Sequence, residues 1–141
     1  MIHQLSIFLE NTSGTLITVL QQLKQANIQL ISMTIADTAE YGILRIICEE
    51  PLRACDVLKE AGVAVALSDV FAIELDNHPG AASDVVEAFS AASISLSYIY
   101  TFHMRGKGIM IFRTDNADRA AKVIADNQFA AIEEEELTKW V

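Results

Sequence analysis

Leu5, Ile7 and Leu9 alternate along the chain with the period of a half-buried strand, and the pattern then changes: Leu16, Val19, Leu20 and Leu23 recur at helical spacing. Strand is followed by helix. Residues 28–36 predict a second strand, joined to a third at 43–48 through a polar turn holding Asp37, Thr38, Glu40 and Gly42. Pro51, tolerated in a first helical turn, opens a helix carrying Leu52, Cys55 and Leu58 that Gly62 ends, and 63–67 reads as a strand. The succession then starts again. It predicts a strand at 71–75, a helix at 81–92, strands at 94–103 and 108–114, a helix at 117–127 and a strand at 129–135.

An ungapped offset of 66 residues aligns Asn11 with Asn77 and Gly42 with Gly108, and it makes 14 of 65 paired positions identical. The chain is read as a tandem duplication, with one domain at 1–69 and a second at 70–141. No Gly- or Pro-rich linker marks the boundary near 68–70. Each half has the order βαββαβ, the split βαβ or ferredoxin-like unit. The fold class is therefore α+β: two tandem ferredoxin-like units, each an antiparallel sheet with its helices on one face. Right-handed crossovers put the first and third strands at the centre and the second and fourth at the edges.

Charge narrows the function classes. Ten Lys and Arg against 19 Asp and Glu give a net charge of −9, which disfavours nonspecific nucleic-acid binding. The segment 105–112 superficially resembles an RNA-binding strand, but Lys107 and Ile109 stand where stacking aromatics are needed. No apolar run approaches the ~20 residues of a membrane span, and no basic leader opens the sequence, so the expected compartment is the cytoplasm. Cys48 and Cys55 match neither a metal pair nor a redox motif and are expected in the core. His3, His78 and His103 have no ligand spacing, and Glu133 to Glu136 reads as an edge strand guarded by charge. Tyr98, Tyr100 and Phe102 alternate along one strand face as packing residues. No nucleophile elbow, P-loop, dinucleotide fingerprint or metal motif is present, so neither an enzyme nor a bound cofactor is expected.

The residues between first strand and first helix are the most informative. One half reads Leu9-Glu10-Asn11-Thr12-Ser13-Gly14-Thr15-Leu16 and the other Leu75-Asp76-Asn77-His78-Pro79-Gly80-Ala81-Ala82. This resembles the ACT-domain family of amino-acid-sensing regulatory modules, whose signature is Asn-x-Pro-Gly-x-Leu at this place in the same fold. Ser13 replaces the Pro in one copy and Ala82 the Leu in the other. A glycine at a helix mouth lets a ligand approach the backbone, and the first-turn amides suit a carboxylate. The resemblance implies that amino acids bind between the first loop of one domain and the second strand of its neighbour. It points to Asn11, Thr12, Gly14, Thr15 and Leu16 facing Tyr98 and Ile99, and to Asn77, His78, Gly80, Ala81 and Ala82 facing Ser32 and Met33. Turn chemistry alone also accounts for the Asn and Gly residues as caps, so both readings stand at this point.

The resemblance implies a regulator that senses an amino acid or related small carboxylate and acts in trans on an enzyme or transporter. The alternative is a structural interaction module without ligand. Apolar residues on the second strands, among them Ile31, Met33, Ile99 and Phe102, are too many for an open surface, so a homodimer is expected.

Overall fold

The alternating and helical stretches take the expected order in the computed structural model, which describes residues 1–10, 14–37 and 41–140. The elements are β1 (Ile2–Glu10), α1 (Thr15–Gln25), β2 (Leu30–Asp37), β3 (Tyr41–Cys48), α2 (Pro51–Glu60), β4 (Val65–Leu75), α3 (Ala81–Ala91), β5 (Leu96–Met104), β6 (Lys107–Thr114), α4 (Ala117–Asp126), β7 (Ala130–Ala131) and α5 (Glu134–Lys139). Contacts divide the chain into one unit at His3–Ser68 and another at Asp69–Trp140, to which Met1 and Ile2 also belong. Among the described residues, no helix is long and apolar enough to cross a membrane.

In the first unit β3 lies between β2 and β1, both antiparallel to it, so that Met33, Ile46 and Leu5 stand in one row and Ile35, Leu44 and Ile7 in the next. These rows face the helices. Leu5, Ile7, Leu44 and Ile46 form the core with Val19 and Leu23 of α1 and Leu58 of α2, and Cys48 and Cys55 are buried there as thiols. On its other side β1 meets the start of β4, where the Phe8 amide donates to the Ala64 carbonyl at 3.0 Å and the Ser6 and Ser68 hydroxyls are 3.1 Å apart.

The second unit repeats the arrangement with β6 between β5 and β4. Ile73, Met110 and Phe112 face Val85 and Phe89 of α3 and Ala120 and Ile124 of α4. Larger rings do the filling here: Phe112 packs 4.9 Å from Phe89 and 5.3 Å from Phe71, centroid to centroid.

Two sequence expectations are corrected. The strands expected at 63–67 and 71–75 are one continuous β4, because nothing in Val65–Leu75 breaks an extended chain. The strand expected at 129–135 shrinks to Ala130–Ala131, and the acidic run opens α5 instead of guarding an edge. Glu134, Glu135 and Glu136 fill the first turn of that helix, where its dipole favours negative charge. This fifth helix has no counterpart in the first repeat.

All four repeat helices end alike. Asn27, Gly62, Ser93 and Gln128 take φ of 56, 80, 58 and 56°, and the next amide reaches back to Leu23, Leu58, Phe89 and Ile124 respectively at 2.9–3.0 Å. This is the Schellman cap, which places a residue in the left-handed region. Arginines identical in the two repeats reinforce two of the ends: Arg53 donates to the Ala26 carbonyl at 2.8 Å and Arg119 to that of Ala92. Arg53 also grips Glu50 at 2.8 Å, and this hydrogen bond lowers the Glu50 pKa, with a smaller charge attraction acting the same way.

Only Gly62 occupies the left-handed cap position without a side-chain penalty. Gln128→Gly and Ser93→Gly are expected to raise unfolding free energy by roughly 0.5–1 kcal/mol, and Gly62→Ala to lower it by about 1 kcal/mol, in urea denaturation. Unchanged midpoints for all three would refute the cap assignment. Because the folded Glu50 pKa is depressed, its stabilisation is present above the ordinary carboxylate value and lost as pH falls through the lowered one. Glu50→Gln should therefore flatten the acid limb of a stability-against-pH curve.

Candidate functional site

The first helix of each unit starts on a left-handed glycine. Gly14 (φ 97°) is the N-cap of α1 and Gly80 (φ 88°) that of α3. Among the described residues, no side chain caps either helix, whereas Asn116 caps α4 by accepting from the Arg119 amide at 3.2 Å. Asn77 is thus not a side-chain cap of α3, and the first-turn amides there lack the side-chain oxygen that a capped helix has. A Cβ built on Gly14 or Gly80 meets nothing within 4 Å, so the glycines answer to backbone conformation and to the space in front of them, not to crowding within the fold.

In the second unit that space is a cleft of about 540 Å³ between the β4–α3 loop and the β5–β6 hairpin. Asn77, His78, Gly80, Ala81 and Ala82 all line it. The loop holds its own shape: His78 Nδ1 lies 2.9 Å from the Pro79 carbonyl, His78 Nε2 lies 3.9 Å from Asp76, and the Ala81 amide donates to the His78 carbonyl at 3.3 Å. Across the cleft are Thr101, His103 and the turn to Lys107, whose ammonium is 3.5 Å from Glu74. A carboxylate placed here would meet amides and a cation, and an ammonium would meet Asp76 and Glu74. The arrangement suits a small zwitterion.

In the first unit, Gly14 and Thr15 line a cleft of about 520 Å³ together with Phe8, Glu10 and Thr18. Thr15 donates to the Glu10 carbonyl at 3.1 Å and Thr18 to that of Gly14 at 2.8 Å. Leu16 packs against the core. Asn11 and Thr12 lie outside the described residues.

Sheet register places the remaining candidates. Ser32 pairs with Ile47 and Met33 with Ile46, Tyr98 with Arg113 and Ile99 with Phe112, so each pair of neighbours points to opposite sheet faces. Met33 and Ile99 are the exposed members on the helix side. Only the backbone of β2 or β5 can present both residues of a pair to one ligand. The supposed RNA-binding strand is likewise decided by register, because Ile109 is fully buried and offers no stacking surface. Among the described residues there is no group of three or more His, Cys, Asp or Glu that could hold a metal.

A family profile described as an ACT domain pair matches residues 1–141. The chain belongs to the ACT domain pair family. This ACT domain pair is similar to protein BT0572 from Bacteroides thetaiotaomicron, at 36% identity and TM-score 0.91, over 98% of this chain and 96% of that one. It shares its fold with the ligand-free regulatory subunit of aspartate kinase from Thermus thermophilus, at 14% identity and TM-score 0.60, over 88% of this chain and 91% of that one. The aspartokinase alpha and beta subunits give 14% identity and TM-score 0.59, over 88% and 90% of the two chains. No curated protein matches the chain. The matched family is a domain pair, with no catalytic family indicated.

Sequence reasoning missed the hairpin side of the cleft in the second ACT unit: Thr101, His103, Gly106, Lys107 and Gly108. A signal was available. Gly42 and Gly108 are identical across the repeats and sit directly opposite Leu9 and Leu75, the residues that lead into the two loops.

Proposed function

We propose that this ACT domain pair binds a free amino acid or related small carboxylate at its loop-to-helix junctions and regulates an enzyme or transporter in trans, in the cytoplasm. The observation that carries the reading is the uncapped start of α3 behind Gly80, opening on a cleft that also holds Asp76 and Lys107. The ligand carboxylate takes the first-turn amides of α3, and its ammonium takes Asp76. In the first unit Asn11, Thr12, Gly14, Thr15 and Leu16 form the matching junction. Ser32–Met33 and Tyr98–Ile99 are the candidate strand segments that complete the sites through their backbone.

Calorimetric titration of the proteinogenic amino acids tests this on wild type, Gly14→Val, Gly80→Val and Lys139→Ala, with circular dichroism confirming each fold. Binding is expected for wild type and Lys139→Ala and is lost at the junction whose glycine is replaced. Binding that survives both glycine changes in folded protein moves the site elsewhere. If nothing binds wild type at millimolar concentration, the structural interaction module becomes the better account.

A homodimer is part of the proposal. Met33, Ile35 and Ile99 expose apolar side chains along the edge strands β2 and β5, a surface that a second copy would remove from water. Sedimentation should show a dimer at micromolar concentration, and Met33→Lys combined with Ile99→Lys should shift it toward monomer. A wild-type monomer throughout that range would end the dimer reading.

A further inference from the structure

α5 is a helix of six residues, too short to persist alone in water, so it is helical only while it is docked. Its Leu137 is 1% exposed, and Ile132, just before it, donates its amide to the Ala72 carbonyl at 2.8 Å. Past the helix, the Trp140 carbonyl accepts from Arg105 Nε at 3.0 Å, and the Trp140 ring lies 5.1 Å from the Lys107 ammonium. Strand alternation puts Lys107 on the sheet face of Ile109 and Ile111, which point away from α3 and α4 and yet are 0% exposed. α5 is thus pinned on the face opposite the repeat helices.

Both pins belong to one turn. Arg105 (φ 51°) and Gly106 (φ 74°) form the two-residue bend between β5 and β6, with the paired positive φ of a tight hairpin. Gly106, Lys107 and Gly108 also line the cleft at the β4–α3 junction. Lys107 is therefore shared: its ammonium serves Glu74 and the Trp140 ring while its residue borders the candidate site. A carboxylate is a stronger partner for an ammonium than a ring face is.

We infer that α5 is a ligand-responsive latch: an anionic group in the cleft draws Lys107 off the Trp140 ring, and α5 leaves the sheet. The inference rests on the proposed site, since the competing anion is the ligand's carboxylate. Release by ligand requires ligand to bind the released state more tightly, so loosening α5 by other means must strengthen binding by the same factor.

Trp140 is the only tryptophan, so its emission reports α5 without interference. L-aspartate, L-lysine and L-leucine, which share one α-carboxylate and differ in side-chain charge, are titrated into the full chain by calorimetry and by fluorescence, with hydrogen exchange read at the Leu137 amide. Any probe that gives heat should red-shift Trp140 and speed exchange at Leu137. Lys107→Met should show that shift with no probe present, Lys107→Arg should restore the docked signal, and Trp140→Ala should tighten a binding probe about fivefold or more. Heat with no change at Trp140 or Leu137 overturns the latch and leaves the site standing. Absence of heat from all three probes overturns the site and the latch with it, and an unshifted Lys107→Met spectrum overturns the latch alone.

Discussion

Each unit depends on burying alternate positions of its first strand beneath two helices. Leu5, Ile7 and Leu9 in one repeat, and Phe71, Ile73 and Leu75 in the other, must lie under the helix that follows them directly in sequence. The chain therefore leaves the end of a central strand and doubles back over the sheet within a few residues. A left-handed residue makes that reversal possible, and glycine adopts it without penalty at positions 14 and 80. The same reversal points the first amides of the helix away from the core, past the end of the sheet. The candidate site is a consequence of how the core is closed.

Much of this was legible in the sequence because it is periodic. The change from strand to helical spacing, repeated at a constant offset, located all four repeat helices and the six strands β1 to β6 near their places. What escaped was set by interactions that periodicity does not carry. The continuity of β4 depends on the absence of a break, which composition alone reads as two short strands. α5 depends on Leu137 finding a buried place and on Trp140 reaching Arg105 and Lys107, contacts between residues more than 30 positions apart. The left-handed caps at Asn27, Ser93 and Gln128 escaped because only glycine advertises that conformation in a sequence. At the site, the glycine loops were legible from their spacing, whereas the hairpin wall of the second cleft needed the pairing of β5 with β6.

The repeats agree where geometry constrains them and differ where a ligand would be read. Arg53 and Arg119 perform one task, supplying a donor to the carbonyl at a helix end that the cap leaves open. That need exists in any copy of the fold. At the loop ends the same positions diverge: Phe8 and Tyr41 form an edge-to-face ring pair 6.3 Å apart, and their counterparts Glu74 and Lys107 form an ion pair. One junction is bordered by exposed aromatic surface and the other by charge.

This divergence bears directly on the proposed regulation. On that proposal, two identical sites would report one concentration twice, while two sites with unlike walls would discriminate between ligands or divide binding from its readout. The charged junction is the one tied to an added element, because Lys107 is held between Glu74 and Trp140. In the first repeat Tyr41 replaces Lys107, and the counterpart of α5 is missing because the chain runs on through β4. A cation without the helix would pair with its carboxylate alone, and the helix without the cation would lose a pin. Their joint presence in one repeat and joint absence from the other is what the proposed latch requires of a coupled pair.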